Sequence, residues 1–136
     1  MSKGDDLCLA SNGGKVVLAT SSDEKHPPEH IIDGNSGTFW TTTGMFPQEF
    51  IISLKGLANI NTLTVQSYLV KHLRVEKSTS KDPVGFEVCH ERDLEHIEGQ
   101  LQTEEFNLSG TQVAHLRFVI LSGFDHFVAI NRVTAE

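Results

Sequence analysis

From Gln48 onward, apolar and polar residues alternate with a period of two, which is typical of strands that bury one face. The alternating segments span 50–54, 62–66, 72–76, 84–88, 106–108, 116–120 and 127–130. Turn signals separate them at Lys55-Gly56, Asp82-Pro83, Glu98-Gly99, Ser109-Gly110 and Ser122-Gly123. The pattern predicts an all-β antiparallel sandwich, best described as a jelly roll, with no helix longer than about two turns.

The chain before Gln48 is less regular. A β-branched run, VVLA at 16–19, predicts the first strand. Pro28 suits the first turn of a helix and Gly34 suits its end, so one helical turn over 28–32 should deliver Asp33. We expect residues 1–6 to be mobile. No linker or repeat divides the sequence, which predicts a single domain over 1–136.

Composition narrows the function classes. The 136 residues include 38% hydrophobic ones, and 18 acidic against 11 basic residues give a net charge of −7. Nucleic-acid binding is excluded because no basic cluster is present. An acidic domain suits protein partners or cations. The apolar runs are strand-sized, and the N-terminus lacks an apolar stretch typical of a signal peptide. We therefore expect an intracellular chain without membrane insertion, whose Cys8 and Cys89 are reduced and act as small apolar residues.

Catalytic patterns are not supported. Ser, His and Asp are present without a G-x-S-x-G elbow. His26 and His30 have the spacing of a helical zinc pair, but two prolines between them forbid a regular helix. Asp5-Asp6 and Glu104-Glu105 are interpreted as solvated charge. We expect no enzyme activity.

The stretch EHIIDGNSGTFWTT at 29–42 concentrates oxygen donors beside Trp40, the single tryptophan. Asp33-Gly34-Asn35 is turn chemistry, and Thr38 places a hydroxyl five residues after the Asp33 carboxylate. One hypothesis is a site for a hard cation, which takes about 6–8 oxygen ligands, with one more acidic group from elsewhere. The simpler interpretation, a tight turn followed by a core tryptophan, stands beside it.

These residues carry a family resemblance. IIDGNSGTFWTT followed by QEFIISL at 48–54 resembles discoidin, or galactose-binding-like, jelly-roll modules, and HLRVEKSTSKDPVGFEV, HLRFVIL and VTAE resemble later strands. The likeness covers nearly the whole chain, although Phe50 stands where the family usually has tryptophan.

The resemblance implies a structural calcium ion where the D-G-N loop meets the last strand. Asp33 and Thr38 would supply side-chain oxygens, and His30 and Asn35 would supply backbone carbonyls. Glu136 would supply the distant carboxylate, with the Ala135 carbonyl as a further donor.

Four runs, ATSSDEKHPPE, TTTGMFPQEFI, VEKSTSKDPV and GFDHF, are similar to a family of small subunits of the intraflagellar transport B complex. That resemblance implies a non-enzymatic subunit of the cilium and cytoplasm, paired with a Rab-like small GTPase and with other complex B subunits. A small heat-shock name has also been attached to this family and implies a chaperone, which the sandwich pattern does not support. A carbohydrate- or lipid-recognition module is the other alternative.

Two loops carry apolar residues suited to a partner surface: Met45 and Phe46 in one, Phe124 and Phe127 in the other. Clustered apolar groups at loops mark interaction sites. The alternative is that Phe46 and Phe127 fold inward and cap the sandwich.

Overall fold

The computed structural model describes residues 6–35 and 37–136. Seven strands and two 3-10 helices make up these ranges. The strands are β1 (Lys15–Ala19), β2 (Trp40–Thr41), β3 (Gln48–Tyr68), β4 (Val70–Ser78), β5 (Glu87–Asp93), β6 (Gln102–Gly123) and β7 (Ala129–Ala135); the 3-10 helices are Ala10–Asn12 and Pro28–Ile32. The predicted all-β sandwich, the strand at 16–19 and the helical turn at 28–32 are confirmed.

All strand pairs are antiparallel, in the order β2-β7-β3-β6-β4-β5, with β1 added on β3. The first half of β3 pairs with β1 on one side and with the second half of β6 on the other. That half of β6 also pairs with β4. The second half of β3 pairs with β7 and the first half of β6. Two long strands therefore pass from one layer of the sandwich to the other.

Two predicted turns are wrong. Lys55-Gly56 lies inside β3, and Ser109-Gly110 lies inside β6. The β3–β6 register shifts between Ser53 and Ala58, and Ser109 (φ 49°) and Gly110 (φ 74°) are left-handed. Such irregularities bend a strand without reversing it, so the chain bends between layers at these positions.

The predicted alternation of Val84, Phe86 and Val88 is wrong at its start. Val84 lies in the loop before β5, and both valines are more than half exposed. The strand β5 pairs only with β4 at the edge of the sheet, so it needs less apolar surface than a central strand.

The core lies between the two layers. Trp40, Phe50 and Phe118 are fully buried, with the rings of Phe50 and Phe118 stacked at 4.7 Å between centroids. Each buried aromatic ring contributes roughly 1.5–3 kcal/mol through burial. Near the start of β7, Val128 and Ile130 enter the core and Phe127 stays exposed. Across the described ranges, no helix combines the length and apolar character that crossing a membrane requires.

Candidate functional site

The loop after the second 3-10 helix is built by its own sequence. Ile31 and Ile32 anchor that helix in the core, and the helix ends at Asp33. The Asp33 carboxylate accepts the Asn35 backbone N–H at 2.9 Å. Gly34 has φ of 77°, a left-handed conformation that costs glycine little. The loop therefore turns sharply while keeping the Asp33 carboxylate exposed.

Four of the five predicted cation ligands meet at Thr38 Oγ1. This oxygen lies 2.9 and 2.7 Å from the two carboxylate oxygens of Asp33. It lies 3.0 Å from the Asn35 carbonyl oxygen and 3.5 Å from that of His30. The loop thus gathers one carboxylate, one hydroxyl and two carbonyls, all of them oxygen donors.

The fifth predicted ligand, Glu136, is held by its backbone. It exchanges two hydrogen bonds with Thr62, both of 3.0 Å, and its carbonyl also accepts from the Asn61 N–H at 2.8 Å. Its exposed side chain lines a polar cleft with Asp6, Thr64, Gln66, Arg132 and Thr134. No hydrogen bond joins the Glu136 carboxylate to the Asp33 loop within 6–35 and 37–136, nor do those ranges hold a cluster of three or more His, Cys, Asp or Glu suited to a metal.

Asp6 is a structural residue that the sequence interpretation missed. Its carboxylate accepts hydrogen bonds from the backbone N–H groups of Cys8 and Ala135, both at 3.0 Å. Leu7 adds an N–H bond of 2.7 Å to the Ala135 carbonyl, so that carbonyl already has a partner. Asp6 is therefore not simply solvated charge. The other residues of the predicted mobile start, 1–5, lie outside the described residues.

The predicted partner loops lie side by side at one end of the sandwich. Phe46 is half-buried, and its Cζ lies 2.8 Å from the point that a Cβ on Gly123 would occupy. Met45 is 86% exposed, Phe124 44% and Phe127 41%. Phe46 thus covers part of the core as the capping alternative expected, whereas the other three present apolar surface to solvent.

Trp40 is buried, and its indole N–H donates to the Ser21 carbonyl at 3.0 Å. It is therefore not available as an aromatic platform for a sugar.

A serine–histidine pair that the sequence did not indicate joins Ser53 Oγ to His115 Nδ1 at 2.6 Å. The other ring nitrogen contacts the Ser80 and Lys81 carbonyls at 3.0 and 3.1 Å, so the buried ring fastens the β4–β5 loop to β3.

Both cysteines are free thiols. Burial raises the pKa of the Cys8 thiol well above its ordinary range, helped by the nearby Asp6 carboxylate. Partial burial also raises the pKa of Cys89, whose Sγ donates to the Val75 carbonyl at 3.4 Å. Both therefore stay protonated at neutral pH, which suits packing better than nucleophilic chemistry.

The imidazole of His72 bridges two carboxylates on the β4–β5 ribbon. Nε2 lies 2.8 Å from Glu91 Oε2, and Nδ1 contacts Asp93. These hydrogen bonds, that to Asp93 foremost, raise the pKa of His72 above its ordinary value of 6.5.

The sandwich matches carbohydrate-binding modules of known structure. One is a family 32 module of Clostridium perfringens GH89 in complex with GalNAc-β-1,3-galactose, with a TM-score of 0.81, 21% identity, and coverage of 96% of this chain and 99% of that one. Another is the family 32 module of NanJ from the same organism in complex with galactose, with a TM-score of 0.75, 17% identity, and coverage of 90% and 92%. At these identities the likeness shows the shared fold alone.

Sequence comparison gives much closer relatives, although no family model matches. The chain is 60% identical over 131 residues to the human intraflagellar transport protein 25 homolog, covering 96% of this chain and 91% of that protein. It is 40% identical over 129 residues to Chlamydomonas reinhardtii intraflagellar transport protein 25, covering 95% of this chain and 68% of that protein. Identity at this level over nearly the whole length shows that the chain belongs to the intraflagellar transport protein 25 family.

Proposed function

We propose that this chain is a non-catalytic subunit of the intraflagellar transport B complex, acting in the cilium and cytoplasm as the heterodimer partner of a Rab-like small GTPase. The observation that carries the proposal is the 60% identity, over 96% of the chain, to a human protein named for intraflagellar transport. The membership in complex B and the GTPase partner come from the resemblance of the sequence runs.

The loop surface supports a protein partner. Met45, Phe124 and Phe127 together expose apolar surface, and Phe46 links the two loops through its contact at Gly123. Aromatic and Met side chains are favoured at interface cores, and a few such residues carry most of the binding energy. We place the GTPase contact on these two loops.

A structural calcium ion at the Asp33 loop is the second part of the proposal. The loop supplies only oxygen donors, which suits a hard cation. Thr38 Oγ1 lies within 3.5 Å of four acceptor oxygens, yet its hydroxyl has one proton to donate. A cation bound by Asp33, Thr38 and the His30 and Asn35 carbonyls would compensate for this crowding. Glu136 remains the proposed distant ligand, and its carboxylate must turn toward the loop to bind.

Copurification tests the function. The tagged chain, expressed in ciliated cells, should recover a small GTPase and other intraflagellar transport subunits by mass spectrometry. A glycan array run with the same preparation tests the carbohydrate alternative. Saturable binding to a galactoside without recovery of transport subunits would contradict the proposal.

A further inference from the structure

A cleft of about 360 Å³ lies on the outer surface of the β7–β3 layer. It is lined by Phe39, Tyr68, Leu101, Phe127, Ala129 and Asn131, and its exposed surface is almost wholly apolar. Tyr68 and Ala129 are paired across β3 and β7, and their neighbours Ser67 and Ile130 point into the core. Alternation along the strands therefore directs Tyr68 and Ala129 outward.

The apolar surface extends beyond the cleft. Leu101 is 46% exposed, and Phe127, Phe124 and Ile97 are exposed to a similar extent. The ring of His96 joins the cleft to the loop surface, because it contacts Tyr68 edge-on at 5.3 Å and Phe124 at 5.9 Å. A contiguous apolar patch of this kind marks an interaction site, in contrast to single exposed residues.

Asn131 points to a ligand with hydrogen-bonding groups. The residue is only 9% exposed in the wall of this cleft, and its buried amide oxygen has no hydrogen-bond partner among the described residues. The Nδ1 atom of His96 is also buried and has no hydrogen-bond partner among the described residues. A buried amide left unpaired is unfavourable, and the Asn amide can present either its oxygen or its nitrogen after rotation. A peptide backbone supplies both a donor and an acceptor to such a group.

The rim of the cleft is acidic on the side of Leu101. Leu101 also lines a neighbouring cleft whose walls include Asp93, Glu95 and Glu104. Glu104 is paired with Arg92 at 3.0 Å, and Asp93 contacts His72. One basic group also lies near this rim: the Lys71 ammonium is 5.8 Å from the Phe124 ring centroid, and the Lys71 carbonyl accepts a hydrogen bond from the Leu94 N–H at 2.8 Å. Of these carboxylates, the exposed Glu95 has no side-chain partner among the described residues, so it is the group on the Leu101 side that best complements a basic side chain.

We propose that this cleft docks a peptide segment of a partner protein in which one large apolar side chain is flanked by basic residues. The apolar side chain packs between Tyr68 and Phe127, the peptide backbone pairs with the Asn131 amide, and a basic side chain lies beside Asp93 and Glu95. Phe127 also belongs to the loops on which we place the GTPase contact, but Tyr68, Ala129 and Asn131 lie on the sheet and Leu101 lies on the β5–β6 loop, so the docking site extends beyond that contact.

The experiment is a titration of the ¹⁵N-labelled full chain with Ac-Lys-Trp-Lys-NH₂, followed by backbone NMR shifts. Shifts should concentrate at Tyr68, Leu101, Ala129 and Asn131. Ac-Lys-Ala-Lys-NH₂ should bind about tenfold more weakly because it lacks the apolar anchor. Ac-Glu-Trp-Glu-NH₂ should bind at least about threefold more weakly, because the acidic rim repels it. The effect is modest because the rim charges are exposed and screened by solvent. Absence of shifts at millimolar peptide, equal binding of all three peptides, or stronger shifts at the same residues with galactose would overturn the proposal.

Variants separate binding from folding. Leu101→Lys should abolish the peptide shifts, and Leu57→Lys, the same change at a leucine 55% exposed outside the cleft, should leave them unchanged. Asn131→Leu should weaken peptide binding while raising the melting temperature, since it removes an unpaired buried amide. A fall in melting temperature together with unchanged peptide binding would overturn the role of Asn131. Failure of the chain to bind a GTPase would leave these results unaffected, because the titration contains no GTPase.

Discussion

The Thr38 hydroxyl lies within hydrogen-bonding distance of both oxygens of the Asp33 carboxylate, at 2.9 and 2.7 Å. The two residues are five positions apart, and a glycine with positive φ between them closes the loop. The hydroxyl has a single proton to donate, so it faces more acceptor oxygens than it can bond well. The calcium ion proposed above would relieve this crowding by binding the same oxygens.

Asp33→Ala should remove calcium-dependent stabilisation. An ion that binds only the native state raises the free energy of unfolding by about 2.7 kcal/mol at a hundredfold excess over its dissociation constant. Thermal melting in excess calcium and in chelator measures the effect. Glu29→Ala, an exposed carboxylate in the adjacent 3-10 helix, is the control and should keep the full calcium response.

The Glu136→Gln variant tests the distant ligand in the same assay, and we expect it to reduce the calcium response. An unchanged calcium-dependent rise in melting temperature in Glu136→Gln would show that Glu136 is not a calcium ligand and that the ligands lie in the Asp33 loop alone. Identical wild-type melting curves in calcium and in chelator would show that no calcium ion stabilises the chain.

Asp6→Ala should destabilise the fold with or without calcium. The substitution leaves the backbone N–H groups of Cys8 and Ala135 without their acceptor, which costs about 1–3 kcal/mol. Chemical denaturation measures this loss, and Glu24→Ala, a change at an exposed carboxylate, provides the control. Equal stability of the two variants would show that water replaces the Asp6 carboxylate at no cost.

His72 predicts a pH-dependent contribution to stability. Because Asp93 and Glu91 raise its pKa in the folded state, the stabilisation is fully present below the ordinary value of 6.5. It is lost as the pH rises through the folded-state pKa. The melting temperature of wild type minus that of His72→Gln should therefore be largest in mildly acidic buffer and should shrink above neutrality. A difference that stays constant with pH would exclude protonation of His72 as the cause.

Strand periodicity was sufficient to predict the sandwich but not the way its layers are connected. Lys55-Gly56 and Ser109-Gly110 have turn composition, yet they lie in continuous bent strands. Glycine permits the same local geometry in a reversal and in a bulge, and only the partner strand decides between them.

The site shows the same division between local and long-range information. The contact between Asp33 and Thr38 was predictable because the two residues are five positions apart in the sequence. The bond from Ala135 to Asp6 spans 129 positions, and the Ser53–His115 pair spans 62. Neither carries a local pattern, because the fold alone brings these residues together.

The loop surface gives a matched pair of variants for the partner interaction. Met45→Asp and Phe124→Asp place a charge on exposed apolar positions of the two loops, so both should keep the wild-type melting temperature. Leu57→Asp makes the same kind of change elsewhere. We expect each loop variant to lose at least about 2 kcal/mol of binding free energy if its residue is an interface hot spot. Wild-type affinity in both stable loop variants would place the GTPase on a sheet face.

Coexpression of the chain with a Rab-like small GTPase, followed by size-exclusion chromatography, tests the proposed heterodimer. We expect a stoichiometric complex with the wild-type chain and with Leu57→Asp, and loss of that complex with Met45→Asp or Phe124→Asp. A folded wild-type chain that elutes alone in the presence of folded GTPase would contradict the proposed heterodimer.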